Sequence, residues 1–139
     1  MKRKLIVSVA TVMAIVLGGC WGKPWPSRGL TVDLKLANAS YAEVVKGVDE
    51  FLIAQKFRSA GKGGYDAINN TSIILDYEGP DRLFVSVGPD GTRDLSRVEK
   101  VFISFNQDQG SFSSQSNQFF EAMVSTLESR WPRSVAVRN

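Results

Sequence analysis

The chain has no histidine among its 139 residues and only one cysteine. The first absence removes the commonest metal ligand and the commonest general acid or base near neutral pH. Zinc centres in their usual form, Ser–His triads and Cys–His dyads are excluded with it. A single thiol rules out an intramolecular disulfide, so the fold must rest on packing. Charge of one sign is also scarce outside the N-terminus. The sequence carries 17 basic and 14 acidic residues, but Lys2, Arg3 and Lys4 stand together at its start, and the remainder is balanced at 14 of each. No bulk electrostatic case for binding nucleic acid survives that balance. The uncharged stretch that follows, residues 5–17, is shorter than the roughly twenty residues of a spanning helix.

What stands at the N-terminus is a positive start, a short apolar run and then small residues, the three parts of a secretory signal. The run ends Leu17-Gly18-Gly19-Cys20. This resembles the lipobox of bacterial lipoproteins, in which an apolar residue and two small ones precede an obligatory cysteine. The resemblance implies cleavage between Gly19 and Cys20, a diacylglyceryl thioether on the Cys20 sulfur, and acylation of the new α-amino group. Several chains at about 0.8 kcal/mol per buried methylene hold a protein on a membrane far more firmly than one. The other reading is an ordinary secretory signal with Cys20 as a leftover thiol. Trp21 follows where an aspartate would favour inner-membrane retention in enteric bacteria. The expected location is therefore the cell envelope, lipid-anchored to the outer membrane and facing the periplasm.

Residues 20–29 begin with the lipidated cysteine and continue WGKPWPSRG, whose prolines and glycines argue against helix or central strand and predict a short tether. Trp21 and Trp25 would rest at the headgroup level, where indoles partition well, or pack back onto the domain. The division is a signal at 1–19, a tether at 20–29 and one globular domain at 30–139.

Within that domain, residues 30–36 alternate apolar and polar and predict a half-buried strand. Ser40 and Glu43 form a capping box ahead of a helix with the stripe Tyr41, Val44, Val45, Val48, Phe51, Leu52 and Phe57, ending near Phe57 or Arg58. Gly47 falls on the opposite, polar side. Strands are expected at 72–78, 82–87 and 101–106, with turns at Gly79-Pro80-Asp81 and Gly88-Pro89-Asp90-Gly91. A second helix starts near Ser114 or Ser116, buries Phe119, Phe120, Met123, Val124, Leu127 and Trp131, and stops before Pro132. Residues 134–138 would add a last short strand. The expected fold is α+β, a two-layer sandwich. Two amphipathic helices lie on one face of a mostly antiparallel sheet of four to five strands, in the order β-α-β-β-β-α-(β). That order resembles the lipoprotein that plugs the lipopolysaccharide export barrel, in topology alone and with no shared motif.

Few residues carry chemistry. Gly61-Lys62-Gly63-Gly64 invites a phosphate-loop reading, but a true P-loop has four residues between its first glycine and Gly-Lys-[Ser/Thr] and lies between a strand and a helix. Here the glycines follow a helix, where they read as a stop signal and a flexible connector. Asp76, Glu78, Asp81, Asp90 and Asp94 gather around two turns. A carboxylate pair can hydrolyse a glycosidic bond, while acidic residues beside Gly and Pro are ordinary turn residues. The Asn-X-Ser/Thr matches at Asn38, Asn69 and Asn70 carry little meaning behind a bacterial signal.

Ile74, Phe84 and Phe102 fall on the strand face opposite Leu83, Val85, Val101 and Ile103. If helices cover one face, these three form an apolar patch on the other, a possible partner surface. The expected function is a non-enzymatic, membrane-anchored module that binds an envelope or effector protein. It has no cofactor or metal, and its contact with lipid runs through Cys20. The alternatives are an immunity lipoprotein neutralising a periplasmic toxic effector and a carboxylate-dependent glycan hydrolase.

Overall fold

The computed structural model describes residues 26–63, 74–108 and 110–138. The first strand, β1, spans Ser27–Asp33 rather than 30–36. It ends at Asp33 because that side chain caps a one-turn helix, α1 (Leu34–Ala37), by accepting the Leu36 N–H at 3.0 Å. Asn38 closes the turn in the left-handed conformation, φ 49°, and its N–H reaches the carbonyls of Leu34 and Lys35. Asp and Asn offer the backbone local bonds that compete with a ladder, so alternation continues through Leu34 and Leu36 while the strand does not. Leu36 is left 63% exposed. At its other end β1 takes in Ser27, Arg28 and Gly29, which pair with Asn106, Phe105 and Ser104. These three residues of the expected tether therefore belong to the sheet.

Helix α2 (Tyr41–Ala54) begins with the full capping box: Ser40 Oγ accepts the Glu43 N–H at 3.2 Å, and Glu43 Oε2 accepts the Ser40 N–H at 2.7 Å. Val44, Val48 and Leu52 form its buried stripe, and Gly47 is buried with them. The helix stops at Ala54, earlier than expected, through Lys56 in the left-handed region at φ 65°. Phe57 is buried just outside it.

Strand β2 follows at Arg58–Gly63 and pairs with β3 (Ile74–Glu78). Residues Gly61, Lys62 and Gly63 are thus part of an edge strand, not the connector read from the sequence. A register shift between Ser59 and Gly61 leaves Ala60 as the bulged residue, and Gly61 takes φ 129°. A bulge on an edge strand disrupts the row of free backbone groups that would template pairing with another chain.

A 3-10 turn at Pro80–Arg82 leads into β4 (Leu83–Pro89), and β5 (Lys100–Gln107) returns beside it. Helix α3 (Ser114–Arg130) is capped by Ser113, and β6 (Val135–Arg138) ends the described chain. The strand order is β2-β3-β4-β5-β1-β6 and every pairing is antiparallel. Among the described residues six strands form the sheet, where four to five are expected. The two-layer α+β architecture is the expected one, with α2 and α3 packed on one face. Leu30, Val32, Leu83, Val85, Val101, Ile103 and Phe105 point into that layer and meet Val44, Val48, Leu52, Phe120, Met123 and Leu127, all essentially inaccessible. Phe105 and Phe120 meet edge to face at 5.3 Å, a geometry that adds to area burial.

Candidate functional site

The parity that buries Leu83, Val85, Val101 and Ile103 turns Phe84, Phe102 and Ile74 to the other face of the sheet. Among the described residues no helix lies over that face. Its side chains form cross-strand rows, because residues directly opposed in antiparallel strands share a face. In one row Gly88, Phe102, Thr31 and Ala136 are successive partners across β4, β5, β1 and β6. Ile74 lies at the β3 end of this row, one step beyond the Leu75–Val87 pair. The next row runs Asp76, Ser86, Ser104, Gly29 and Arg138. The third runs Arg58, Glu78, Phe84 and Asn106.

The three expected patch residues are therefore not one surface. Ile74 and Phe102 flank Gly88 in the first row, and Phe84 stands two rows away. The row between them is polar, with Ser86 Oγ donating to Asp76 Oδ1 at 2.6 Å. Asn106 Nδ2 also donates to Ser104 Oγ at 3.1 Å. All three apolar side chains are half-buried rather than exposed.

Phe102 packs between two neighbours that the local sequence does not single out. Its ring leans across Gly29, where an added Cβ would lie 2.9 Å from Phe102 Cε2. Arg138 then reaches over the ring, 5.5 Å from guanidinium carbon to centroid, and its Nη2 lies 2.5 Å from Asp90 Oδ2. Arg138 thus ties the last strand to the β4–β5 turn across the width of β1 and β5. Nothing in the local sequence predicts this, since residues 29, 90, 102 and 138 meet only through the strand order.

The acidic residues divide among separate partners. Asp76 takes the Ser86 hydroxyl, Glu78 pairs with Arg58 at 3.0 Å, and Asp90 pairs with Arg138. Asp94 accepts both the N–H and the hydroxyl of Ser96, and these bonds hold its carboxyl below the ordinary range. Asp81 sits exposed at φ 58° in the β3–β4 turn. Asp76 and Glu78 share the open face of β3, two residues apart. Of the two, Asp76 holds a hydroxyl and Glu78 a guanidinium.

No group of three or more His, Cys, Asp and Glu residues suited to a metal occurs among the described residues. Their helices include none long and apolar enough to cross a membrane. Gly19, Cys20, Trp21 and Trp25 lie outside the described residues. No protein-family model and no curated protein matches the chain.

Proposed function

We propose that the chain is a membrane-anchored envelope lipoprotein whose domain is a non-enzymatic protein-binding or accessory module. The observation that carries this reading is the lipobox Leu17-Gly18-Gly19-Cys20, placed just six residues before Pro26, whose carbonyl already accepts a sheet hydrogen bond from Gln107. A lipid on Cys20 would hold the domain directly at the bilayer, and the proposed site is the outer membrane on its periplasmic side.

The binding role is supported by the sheet face opposite the helices. It offers hydrogen-bonding and charged pairs at regular strand spacing, with half-buried aromatics between them, a composition suited to a polar protein contact. The pairing of Asp76, Glu78 and Asp90 with Ser86, Arg58 and Arg138 supports structural roles for these carboxylates over hydrolysis. The partner is an envelope or effector protein.

Cross-linking in intact cells, followed by mass spectrometry, tests the proposal by comparing the wild type with Cys20→Ala. One dominant partner, lost or weakened in the unanchored variant, is the expected result. No specific partner in either form would overturn the binding role. Among identified partners, a secreted toxin would indicate immunity and an assembly factor an accessory role.

A further inference from the structure

The strands give the domain two distinct ends. At one end lie the start of β1, the turn at 55–57, the turn Pro80–Arg82 and the chain leading into α3. These are bound together: Asp108 N–H donates to the Arg82 carbonyl at 3.1 Å, Gln107 Nε2 to the Asp81 carbonyl at 2.5 Å, and Ser116 Oγ to Gln107 Oε1 at 2.5 Å. At the other end lie α1, the β4–β5 connection and the turn before β6, joined by Leu34 N–H to the Glu99 carbonyl and Asp33 N–H to the Ser134 carbonyl, each at 2.9 Å.

The chain leaves the first end from a fixed point. Gln107 N–H donates to the Pro26 carbonyl at 3.0 Å, and Ser27 pairs with Asn106. Arg28 locks the next position to α3 through Asn117 Oδ1 and Glu121 Oε1, each at 2.9 Å, with its guanidinium carbon 3.9 Å from the Phe120 ring centroid. No swivel is available after Pro26.

From Pro26 back to Cys20 is six Cα steps, which span at most about 20–22 Å fully extended. The height of β1 from Ser27 to Asp33 is six steps at about 3.3 Å, or about 20 Å, and α1 and the β4–β5 connection lie beyond it. A tether of this length would be consumed in running the height of the sheet, so it cannot bring the far end down to the lipid.

We infer that the rim formed by residues 55–57, 80–82 and 110–113 lies against the phospholipid headgroups, and that α1 and the β4–β5 connection face away from the membrane. The inference rests on the lipid anchor at Cys20. The rim suits a headgroup surface. Lys56, Arg58 and Arg82 are matched by Glu78, Asp81 and Asp108, with Arg58 on Glu78 and Arg82 on Asp108, so no net charge opposes apposition to zwitterionic or anionic lipid. The open sheet face then stands perpendicular to the membrane, accessible from the side to a second protein.

The test uses the full lipidated chain reconstituted in vesicles of phosphatidylethanolamine and phosphatidylcholine with an acceptor dye on the lipid. The Cys20 sulfur is blocked by its thioether, so one added cysteine is the only labelled site. Ser111→Cys reports the rim, Arg93→Cys the far end and Ala136→Cys the open face; all three positions are exposed. Energy transfer to the lipid is expected to be several-fold stronger from position 111 than from 93, with 136 between them. Equal transfer from 111 and 93, or the strongest transfer from 136, would overturn the orientation while leaving the anchor intact. The intact mass of each sample separates the two claims: a chain carrying no lipid on Cys20 would overturn the anchor and the orientation with it.

Discussion

Trp131, at the C-terminal end of α3, closes over Gly47 in the middle of α2. A Cβ placed on Gly47 would lie 2.8 Å from the indole Cη2 and 2.9 Å from Arg130 Nη1. The two helices approach at this point because one of them has no side chain there. Arg130 lies beside the same indole, 4.8 Å from guanidinium carbon to ring centroid, and also reaches Glu50 on α2.

Gly47→Ala therefore sets two effects against each other. Alanine is favoured over glycine inside a helix by about 1 kcal/mol. Overpacking a filled contact costs about 1–3 kcal/mol, and Trp131, only 8% exposed, has little room to retreat. Net destabilisation of up to about 2 kcal/mol is expected in urea unfolding. A stabilised variant would show that the indole moves freely.

The capping box gives a pH-dependent expectation. Ser40→Ala removes the acceptor for the Glu43 N–H and should cost about 1 kcal/mol. The hydrogen bonds from the Ser40 backbone and hydroxyl, with the Arg130 charge adding to them, hold the Glu43 carboxyl below its ordinary 4.5. A carboxyl depressed on folding contributes stability above its unfolded value and loses it as pH falls through the folded one. Glu43→Gln should accordingly flatten the stability profile below about pH 4.5 and leave its shape near neutrality unchanged. Thermal unfolding across pH 3–6, taken as an approximate acid window, provides the check.

Tyr77 links the layers by donating its hydroxyl to Asp49 Oδ1 at 2.7 Å from a nearly buried ring. Tyr77→Phe should cost about 1–2 kcal/mol, because it leaves a half-buried carboxylate short of a donor. Burial, then the Asp49 hydrogen bond and charge, raises the phenol above its ordinary 10.0. The unfolded chain therefore ionises first, and stability present below pH 10 is lost as pH rises beyond it. The phenylalanine variant should show a smaller alkaline loss in unfolding titrations above pH 10.

At Gly79 the close approach is tighter, since an added Cβ would fall inside the buried Phe57 ring. Gly79 has an ordinary φ of −113°, so Gly79→Ala tests sterics without backbone strain. The expected loss is about 3 kcal/mol, at the upper end for overpacking, measured by denaturant midpoint. A loss below about 1 kcal/mol would mean that Phe57 can repack.

These contacts mark what the sequence could and could not reveal. The Ser40–Glu43 box and the parity of β4 and β5 were legible because each is local: a cap spans four residues and alternation declares itself along one strand. The neighbours Lys46, Asp49 and Glu50 put Gly47 on the polar side, whereas its burial is decided by Trp131. Strand β2 is not legible, because Arg-Ser-Ala-Gly-Lys-Gly has little alternation and is a strand through its pairing with β3. The reverse holds at Leu34 and Leu36, where alternation runs past the Asp33 cap. On the open face, the parity of Ile74, Phe84 and Phe102 could be read, but their separation by the Asp76–Ser86–Ser104 row depends on register across three strands. Arg138 over Phe102 was out of reach for the same reason.

The state of Cys20 decides whether the domain is anchored, and one measurement reads it: the intact mass and N-terminal peptide of the protein extracted from membranes. The predicted result is a chain that begins at Cys20 and carries a diacylglyceryl thioether with an acylated α-amino group. A mature chain with an unmodified Cys20, or one that begins elsewhere, would contradict the anchored module.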